Sequence, residues 1–537
     1  MTARPLWTVD AMVAAMGAER QGALPQSVSG ISIDSRTIVA GDAFFAIRGD
    51  QRDGHEFVAR ALWTVDDMAA AMDAARQGAL PATISGISID TRSVAPGEAF
   101  FAITGDRRDG HAFVAEALAA KAALAVVAAD RRAQFAPDAP LLVVSDVLAA
   151  LRDLARAARG RTAAKVIGVT GSVGKTGTKE ALRLALSKDG ETHASVASYN
   201  NHWGVPLSLA RCPADARYAV LEMGMNHAGE IAPLSRLARP HIAVITAIAP
   251  VHLEFLGSLA AIADAKAEIL LGLEPDGAAV IPRDSAQFAR LKRRAKEAGV
   301  ARIVSFGEHA EADARLIKCA LHPHCSTVQA EILGNEIAYK IGAPGRHLVV
   351  NSLAVLATAE LAGADLALSA LALAELKPIA GRGAPIAIEV SGGSALVIDE
   401  SYNANPASVE AALALLGQAP VGPHGRRIAV LGDMLELGPK GRALHRGLAE
   451  AVVANAVDLV FCCGPLMRNL WQALPAGRRG GYAEDSAALE AQVVAAVRAG
   501  DVVMVKGSLG SRMAPIVKTL QRVYPNRGAL EDATVQG

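Results

Sequence analysis

The densest run of chemistry-bearing residues is VIGVTGSVGKTGTKE, Val166 to Glu180: a short apolar stretch, a glycine-rich turn, then the polar start of a helix. Glycine lets successive backbone N–H groups turn toward one point, and a helix amino terminus adds positive potential there. Gly171, Ser172 and Gly174 therefore suit a polyphosphate. Lys175 would reach the outer phosphates, and Thr176 would offer a hydroxyl to Mg2+. The strict phosphate-loop pattern wants glycine six positions before its lysine, where Val169 stands. A purely structural glycine-rich turn is the alternative; the order strand, GxxGKT, helix favours nucleotide binding.

Three further residues could complete such a site. Glu222 ends the apolar run YAVLEMG, where a carboxylate would face the phosphate loop from a neighbouring strand. Mg2+ takes few protein carboxylates and fills its shell with phosphate oxygens and water. An edge glutamate paired with a Lys or Arg is the plainer alternative. His252 follows the run IAVITAIAPVH at the same sheet edge, and a lone histidine is more often structural than a ligand. Lys266, in DAKAEIL, falls on an expected helix, where its pattern is that of a solvated lysine.

Positioning these groups requires parallel strands. Apolar runs at Val166–Val169, Tyr218–Leu221, Ile242–Thr246, Ala395–Ile398, Ile428–Leu431, Leu459–Cys462 and Val502–Val505 alternate with helical patterns. That alternation predicts parallel sheets with crossover helices, whose ligands sit beyond the carboxyl ends of the strands. Pro378, Gly381 and Gly383 punctuate Leu376 to Gly383, which marks a domain boundary. Leu348 to Leu376 is Ala/Leu-rich, yet Asn351, Glu360 and Asp365 interrupt it as in an amphipathic helix and not a membrane span.

A chain of 537 residues exceeds one hydrophobic core, and about 150 residues per domain suggests three or four domains. Lys+Arg and Asp+Glu both number 54, so no overall basic field draws the chain to nucleic acid or an anionic membrane. Met1 to Asp10 lacks the basic and apolar regions of a signal peptide. The five cysteines have no paired zinc spacing and read as reduced, buried thiols.

The amino-terminal part is duplicated. Leu6–Ala61 recurs as Leu62–Ala117 at an offset of 56 residues with about 70% identity: ISIDSR (Ile31 to Arg36) returns as ISIDTR (Ile87 to Arg92), and Trp7 as Trp63. Only the second copy runs on into a helix-like Leu118–Ala123, an apolar Leu124–Ala128 and a strand-like Leu141–Ser145. Two units are too few for a solenoid. The expected divisions are residues 1–61, a duplicated partial copy; 62–160, an amino-terminal domain; 161–376, a central domain; and 377–537, a carboxy-terminal domain.

Taken together, TGSVGKTGTKE, NNHWGVP (Asn200 to Pro206), EMGMNHAGEI (Glu222 to Ile231), APVHLEFLGS (Ala249 to Ser258), GRH (Gly345 to His347) with Asn351, DESYNANP (Asp399 to Pro406), GDMLELG (Gly432 to Gly438) and KGS (Lys506 to Ser508) resemble the Mur ligases. NNHWGVP and SYNANP are similar to the branch that joins D-alanyl-D-alanine to UDP-N-acetylmuramoyl-tripeptide. The resemblance implies an α/β fold in three domains: a UDP-sugar-binding domain, a central P-loop parallel-sheet ATPase domain and a Rossmann-like ligase domain, here with the extra partial copy in front. It implies ATP and Mg2+ as cofactors and an acyl phosphate route to the amide bond. No nucleic acid or membrane insertion is implied, and the enzyme would be a cytoplasmic monomer.

By the same resemblance Lys175, Lys266 and Arg382 are catalytic. Gly171, Ser172, Gly174, Lys175, Thr176, Asn351 and Arg382 bind ATP, with His347 near the adenine. Thr176, Glu222, His252 and Lys266, the last as a carbamate, hold the metal. Asp90, Thr91 and Arg92 lie beside the uridine diphosphate, and Thr91 stands where the family usually has Ser. Asp399, Tyr402, Asn403 and Asn405 line the cleft for the incoming dipeptide. A nucleotide-switch ATPase and a non-catalytic UDP-sugar-binding protein are the rival classes. A sister ligase adding a single amino acid is disfavoured because no DNPR-like segment is present.

Overall fold

Short apolar runs bounded by glycine and proline form the strands of the computed structural model, which describes residues 7–16, 26–28, 30–32, 42–44, 61–105, 108–196 and 198–526. Contacts divide the chain into two compact units, Met1–Val147 and Leu148–Gly537.

In the first unit the two sequence copies make the same local pairings. β1 (Trp7–Thr8) pairs antiparallel with β2 (Ser27–Val28), and β3 (Gly30–Ser32) pairs parallel with β4 (Asp42–Phe44). In the second copy β5 (Trp63–Thr64) pairs antiparallel with β7 (Thr83–Ile84), and β8 (Gly86–Ser88) parallel with β9 (Glu98–Phe101). A threonine caps the helix after the first strand of each copy: the Ala11 amide donates to Thr8 Oγ1 (3.2 Å) and the Asp67 amide to Thr64 Oγ1 (3.0 Å).

The second copy goes on to complete a sheet. β10 (Leu124–Ala128) pairs with β9, β11 (Leu141–Val144) with β10, and β6 (Ala75–Gln77) closes the edge antiparallel to β11, giving the order β6-β11-β10-β9-β8. Phe100, Val114, Ala125, Val127 and Leu141 form its core. The expected helix at Leu118–Ala123 lies earlier, at Val114–Ala119, because Lys121 turns into the left-handed region (φ 68°).

Among the described residues the second unit holds two sheets. The first contains β12 (Lys165–Thr170), β13 (Thr192–Ala194), β14 (Tyr218–Glu222), β15 (Ile242–Ile245), β16 (Ala278–Pro282), β17 (Arg302–Gly307), β18 (Ala314–Leu321), β19 (Ser326–Ile332) and β20 (Asn335–Ile341). Its order is β13-β14-β12-β15-β16-β17-β18-β19-β20, parallel as far as β18 and antiparallel beyond. Its inner strands are apolar on both faces, as helices covering both sides of a parallel sheet require. Leu348–Leu376 is two helices, Arg346–Leu361 and Leu366–Ala372: Gly363 (φ 82°) ends the first, and Asp365 caps the second by accepting the Leu368 amide (2.8 Å). The first is not simply amphipathic. Val349, Leu353, Val355 and Leu356 are all buried, since it packs between the sheet and the helix Lys175–Leu186.

The other sheet comprises β21 (Ala384–Val390), β22 (Gly393–Glu400), β23 (Arg427–Gly432), β24 (Leu459–Cys463), β25 (Arg479–Ala483) and β26 (Val502–Lys506), in the order β21-β22-β26-β23-β24-β25. All neighbours are parallel except β21 with β22. All five cysteines are free; Cys212, Cys462 and Cys463 are buried, whereas Cys319 and Cys325 are half-buried, so the expectation of wholly buried thiols holds for three. Among the described residues, no helix is long and apolar enough to cross a membrane.

Candidate active site

At the carboxyl end of β12 the chain turns through Gly171 (φ 148°) and Gly174 (φ 84°) into the helix Lys175–Leu186. Both positions require glycine: a Cβ on Gly171 would lie 2.0 Å from Thr246 Oγ1, and one on Gly174 would lie 2.7 Å from Asn351 Nδ2. The loop is held from behind by the segment after β15. The Ser172 amide donates to the Ala247 carbonyl (2.8 Å), Ser172 Oγ to the Ala249 carbonyl (3.0 Å) and Thr246 Oγ1 to the Val173 carbonyl (2.5 Å). Lys175 Nζ folds over the turn and donates to the Gly171 carbonyl (2.7 Å). Desolvation in the cleft lowers its pKa, Arg382 adds to that effect and Glu222 opposes it.

Register brings Glu222 to this loop, because Val169 of β12 pairs with Glu222 of β14. The carboxylate is buried and accepts from Thr176 Oγ1 (2.9 Å) and Asn200 Nδ2 (2.8 Å), both neutral donors, in place of the Lys or Arg partner of the plainer reading. Asn200 belongs to NNHWGVP but received no role from the sequence.

Lys266 overturns its pattern. It sits in the last turn of the helix Leu259–Ala267, fully buried, and among the described residues its Nζ has no hydrogen-bond partner. Burial first, and the Lys175 charge second, hold its pKa well below the ordinary lysine value. Ala263, Ala265 and Ala267 are buried with it, while the half-buried Asp264 lies on the side of that turn that pairs with Arg290 and Arg294. His252 has left-handed backbone (φ 52°), and its Nδ1 lies 2.5 Å from Glu436 Oε2. Desolvation lowers its pKa against the raising influence of Glu436.

Among the described residues no three His, Cys, Asp or Glu side chains gather as a ready metal cage. The hydroxyl of Thr176, the carboxylate of Glu222 and the imidazole of His252 nevertheless line one cleft with room for phosphate oxygens. This sparse, oxygen-rich set suits Mg2+ better than a softer ion.

The opposite wall comes from the last sheet and the chain leading into it. Arg382, between Gly381 (φ 74°) and Gly383 (φ 93°), stacks its guanidinium 4.2 Å from the centre of the Tyr402 ring and donates weakly to Ser198 Oγ (3.4 Å). Asp399 does not line the cleft as expected. Its carboxylate is taken up by the Gly381 amide (3.1 Å), the Ser401 amide (3.1 Å) and Ser401 Oγ (2.6 Å), which shape the Arg382 turn. Glu400 lines the cleft instead and pairs with the buried Lys506 (2.9 Å), which also donates to the Asn403 carbonyl (3.1 Å). Asn405 borders the cleft and caps the helix Pro406–Gln418, accepting the Ser408 amide (3.0 Å). The cavity between the walls measures about 690 Å³ and is also bordered by Asn351, His347, Tyr402 and Asn403. That volume accommodates a nucleotide with a further reactant.

In the first unit Arg92 donates to Asp90 through Nε (2.9 Å), NH2 (2.5 Å) and its own amide (3.0 Å), so Asp90 stays ionised below the usual carboxylate range. Thr91 lies half-buried between them. The corresponding Asp34, Ser35 and Arg36 lie outside the described residues.

Comparison with known proteins places this geometry. The Mur ligase middle domain matches residues 169–359, the Mur ligase glutamate ligase domain 388–509, and the Mur ligase family catalytic domain 27–72 and 83–159. The chain is 33% identical over 440 residues to the UDP-N-acetylmuramoyl-tripeptide--D-alanyl-D-alanine ligase of Escherichia coli, covering 82% of this chain and 94% of that protein. The Bacillus subtilis protein of the same name is 34% identical, with 81% and 93% covered. A crystal structure of MurF from Acinetobacter baumannii superposes with TM-score 0.73 at 29% identity, covering 87% of this chain and all (100%) of that one. The Thermotoga maritima MurF ligase in complex with ADP gives 0.66 at 26% identity, covering 81% and 97%. With an α/β fold whose larger sheets have five, nine and six strands, a phosphate loop facing an arginine across a cleft and this near-complete coverage of its relatives, the chain belongs to the Mur ligase family, in its MurF group.

Proposed function

We propose that the protein is the ATP-dependent ligase that joins D-alanyl-D-alanine to UDP-N-acetylmuramoyl-tripeptide in peptidoglycan precursor synthesis. The observation that carries this reading is the cleft itself. A phosphate loop with Lys175 forms one wall, and Arg382, Tyr402 and Asn403 form the other, leaving space for a second reactant beside a nucleotide. A nucleotide switch needs no such second wall, and a passive UDP-sugar binder needs no buried, unpartnered lysine.

A carboxylate and an ammonium do not condense usefully in water, so the acid must first be activated. The terminal carboxylate of the tripeptide attacks the γ-phosphorus of ATP; the bond to the β-phosphate oxygen breaks, ADP leaves and an acyl phosphate remains. The dipeptide amine, having lost a proton, attacks the acyl carbon; the C–O bond to phosphate breaks and the amide forms. In this reading Lys175 and Arg382 offset charge on the transferring phosphoryl group, while Gly171 and Gly174 orient it with backbone amides and Ser172, whose amide is bonded to Ala247, anchors the loop. Thr176, Glu222, His252 and a carbamylated Lys266 would hold Mg2+, which supplies charge neutralisation and alignment of the phosphates. Asn351, packed on Gly174, and His347 would face the nucleotide; Asp90, Thr91 and Arg92 would meet the uridine diphosphate. Tyr402, Asn403 and Asn405 would receive the dipeptide, with Asp399 shaping the Arg382 turn. ATP, a UDP-linked substrate and five free thiols fit a cytoplasmic protein.

Product mass spectrometry with UDP-muramoyl-tripeptide, ATP, Mg2+ and a panel of amino acids and dipeptides tests the assignment. A product carrying D-alanyl-D-alanine, with ADP release that requires both acceptor and donor, is expected. ADP release indifferent to the dipeptide would favour a switch or motor ATPase.

The duplication gives a second expectation. Only the second copy continues into β10 and β11, so residues 62–147 contain every strand of their five-stranded sheet. Deleting residues 2–61 should therefore leave the KM for the UDP substrate near that of the full chain, with one UDP-substrate site per chain by calorimetry in both forms. A large rise in KM, or two sites in the full chain, would assign substrate binding to the first copy.

A further inference from the structure

His252 and Glu436 meet across the two walls of the cleft. His252 leads into the short helix Leu253–Leu256 on the phosphate-loop side, and Glu436 lies in the loop that follows β23 on the other. Beyond the 2.5 Å approach of His252 Nδ1 to Glu436 Oε2, the Glu254 amide donates to the Glu436 carbonyl (3.1 Å). A Cβ on Gly438 would come within 3.2 Å of Glu254 Cα, a tight contact, so the two backbones are closely apposed. Both His252 (φ 52°) and Glu436 (φ 61°) are left-handed, a conformation uncommon for residues with a Cβ. Such backbone persists where its surroundings over-determine it, and here each turn is held by the other.

The chemistry of the pair has a direction. An imidazole whose Nδ1–H donates to a carboxylate has a fixed tautomer and ring plane, and its Nε2 is left as the lone-pair donor. That carboxylate comes from the opposite wall. We propose that Glu436 is a positioning residue that fixes His252 with Nε2 available to a divalent cation only while the two walls are apposed, so that closure and cation binding reinforce each other. The inference rests on the reading of His252 as a cation ligand. The coupling is reciprocal: what tightens the cation also favours the apposed arrangement.

The test is Mn2+ affinity of the full chain, measured by electron paramagnetic resonance in the presence of a non-hydrolysable ATP analogue. Glu436→Ala is expected to raise the Mn2+ Kd about tenfold or more, as loss of a carboxylate behind a ligating histidine does. Glu436→Gln retains an acceptor for Nδ1–H and should recover most of the affinity. Gly438→Ala keeps both side chains but strains the left-handed turn (φ 59°) and crowds Glu254, and it should weaken Mn2+ in the same direction. It carries the comparison should Glu436→Ala fail to fold by circular dichroism. The double variant His252→Ala with Glu436→Ala should bind no more weakly than His252→Ala alone. If His252→Ala weakens Mn2+ while folded Glu436→Ala and Gly438→Ala do not, the positioning role is wrong and the ligand reading stands. If His252→Ala itself leaves Mn2+ unchanged, the ligand reading fails and the coupling with it.

Discussion

Replacing Lys175 with alanine should lower ADP release and acyl phosphate formation by about 10²–10³-fold or more while leaving the fold intact. The contacts that shape the loop do not use this side chain. Gly171 and Gly174 set its turns, Ser172 is bonded to the backbone at Ala247 and Ala249, and Thr246 holds Val173. Lys175 contributes one bond, to the Gly171 carbonyl, which a bound polyphosphate would compete for. What the substitution removes is a cation in a desolvated cleft, facing Arg382 across the space assigned to the transferring phosphoryl group. There its charge counts for far more than it would in water. Coupled-enzyme detection of ADP, hydroxylamine trapping of the acyl phosphate and circular dichroism read the three parts of the claim. Wild-type turnover in Lys175→Ala would sink the ATPase assignment. Lys175→Arg is no rescue, because a planar fork does not replace a compact ammonium at this turn.

Much of this architecture was legible in the sequence because strands buried on both faces must be apolar throughout. β12, β14, β15 and β26 coincide with runs such as VIGV and YAVL for that reason. Helix limits were less legible. Leu348–Leu376 reads as one helix by composition, but the break depends on a left-handed Gly363 and a capping Asp365, and the burial all round the first piece depends on a neighbouring helix that no local period can reveal. The phosphate loop announced itself through glycine spacing. Glu436 did not: it meets His252 from 184 positions away, through a loop whose docking is purely tertiary. Asn200 and the Glu400–Lys506 pair were likewise hidden, since their roles rest on which strand ends the sheet order brings together. Lys266 shows the opposite failure. Its pattern suggested solvent because lysine is rarely buried, and the exception to that rule is a reason to ask what the buried amine is for.

The expected answer is that Lys266→Ala is inactive, with turnover reduced by about 10²-fold or more, and that a small added carboxylate partly restores it. An ammonium wholly removed from water with no hydrogen-bond partner among the described residues is costly, and burial together with Lys175 outweighs Glu268, Glu222 and Glu230 and drives Lys266 toward the neutral amine. The neutral amine is the form that reacts with carbon dioxide: its lone pair forms the N–C bond, one proton leaves, and a cation-prone group becomes an anion with two oxygen acceptors. Those oxygens would answer both problems of the site, an Nζ without a hydrogen-bond partner and the lack, among the described residues, of a ready metal cage beside Glu222 and His252. Formate or acetate could enter the space vacated in Lys266→Ala and supply the missing anion. Lys266→Met fills that space with an apolar chain and should be inactive without rescue. The intact protein should gain the mass of one carbon dioxide in native mass spectrometry and lose it, with its activity, in carbonate-depleted buffer. Full activity of Lys266→Ala in that buffer would remove the carbamate from the mechanism and leave the buried lysine a structural residue.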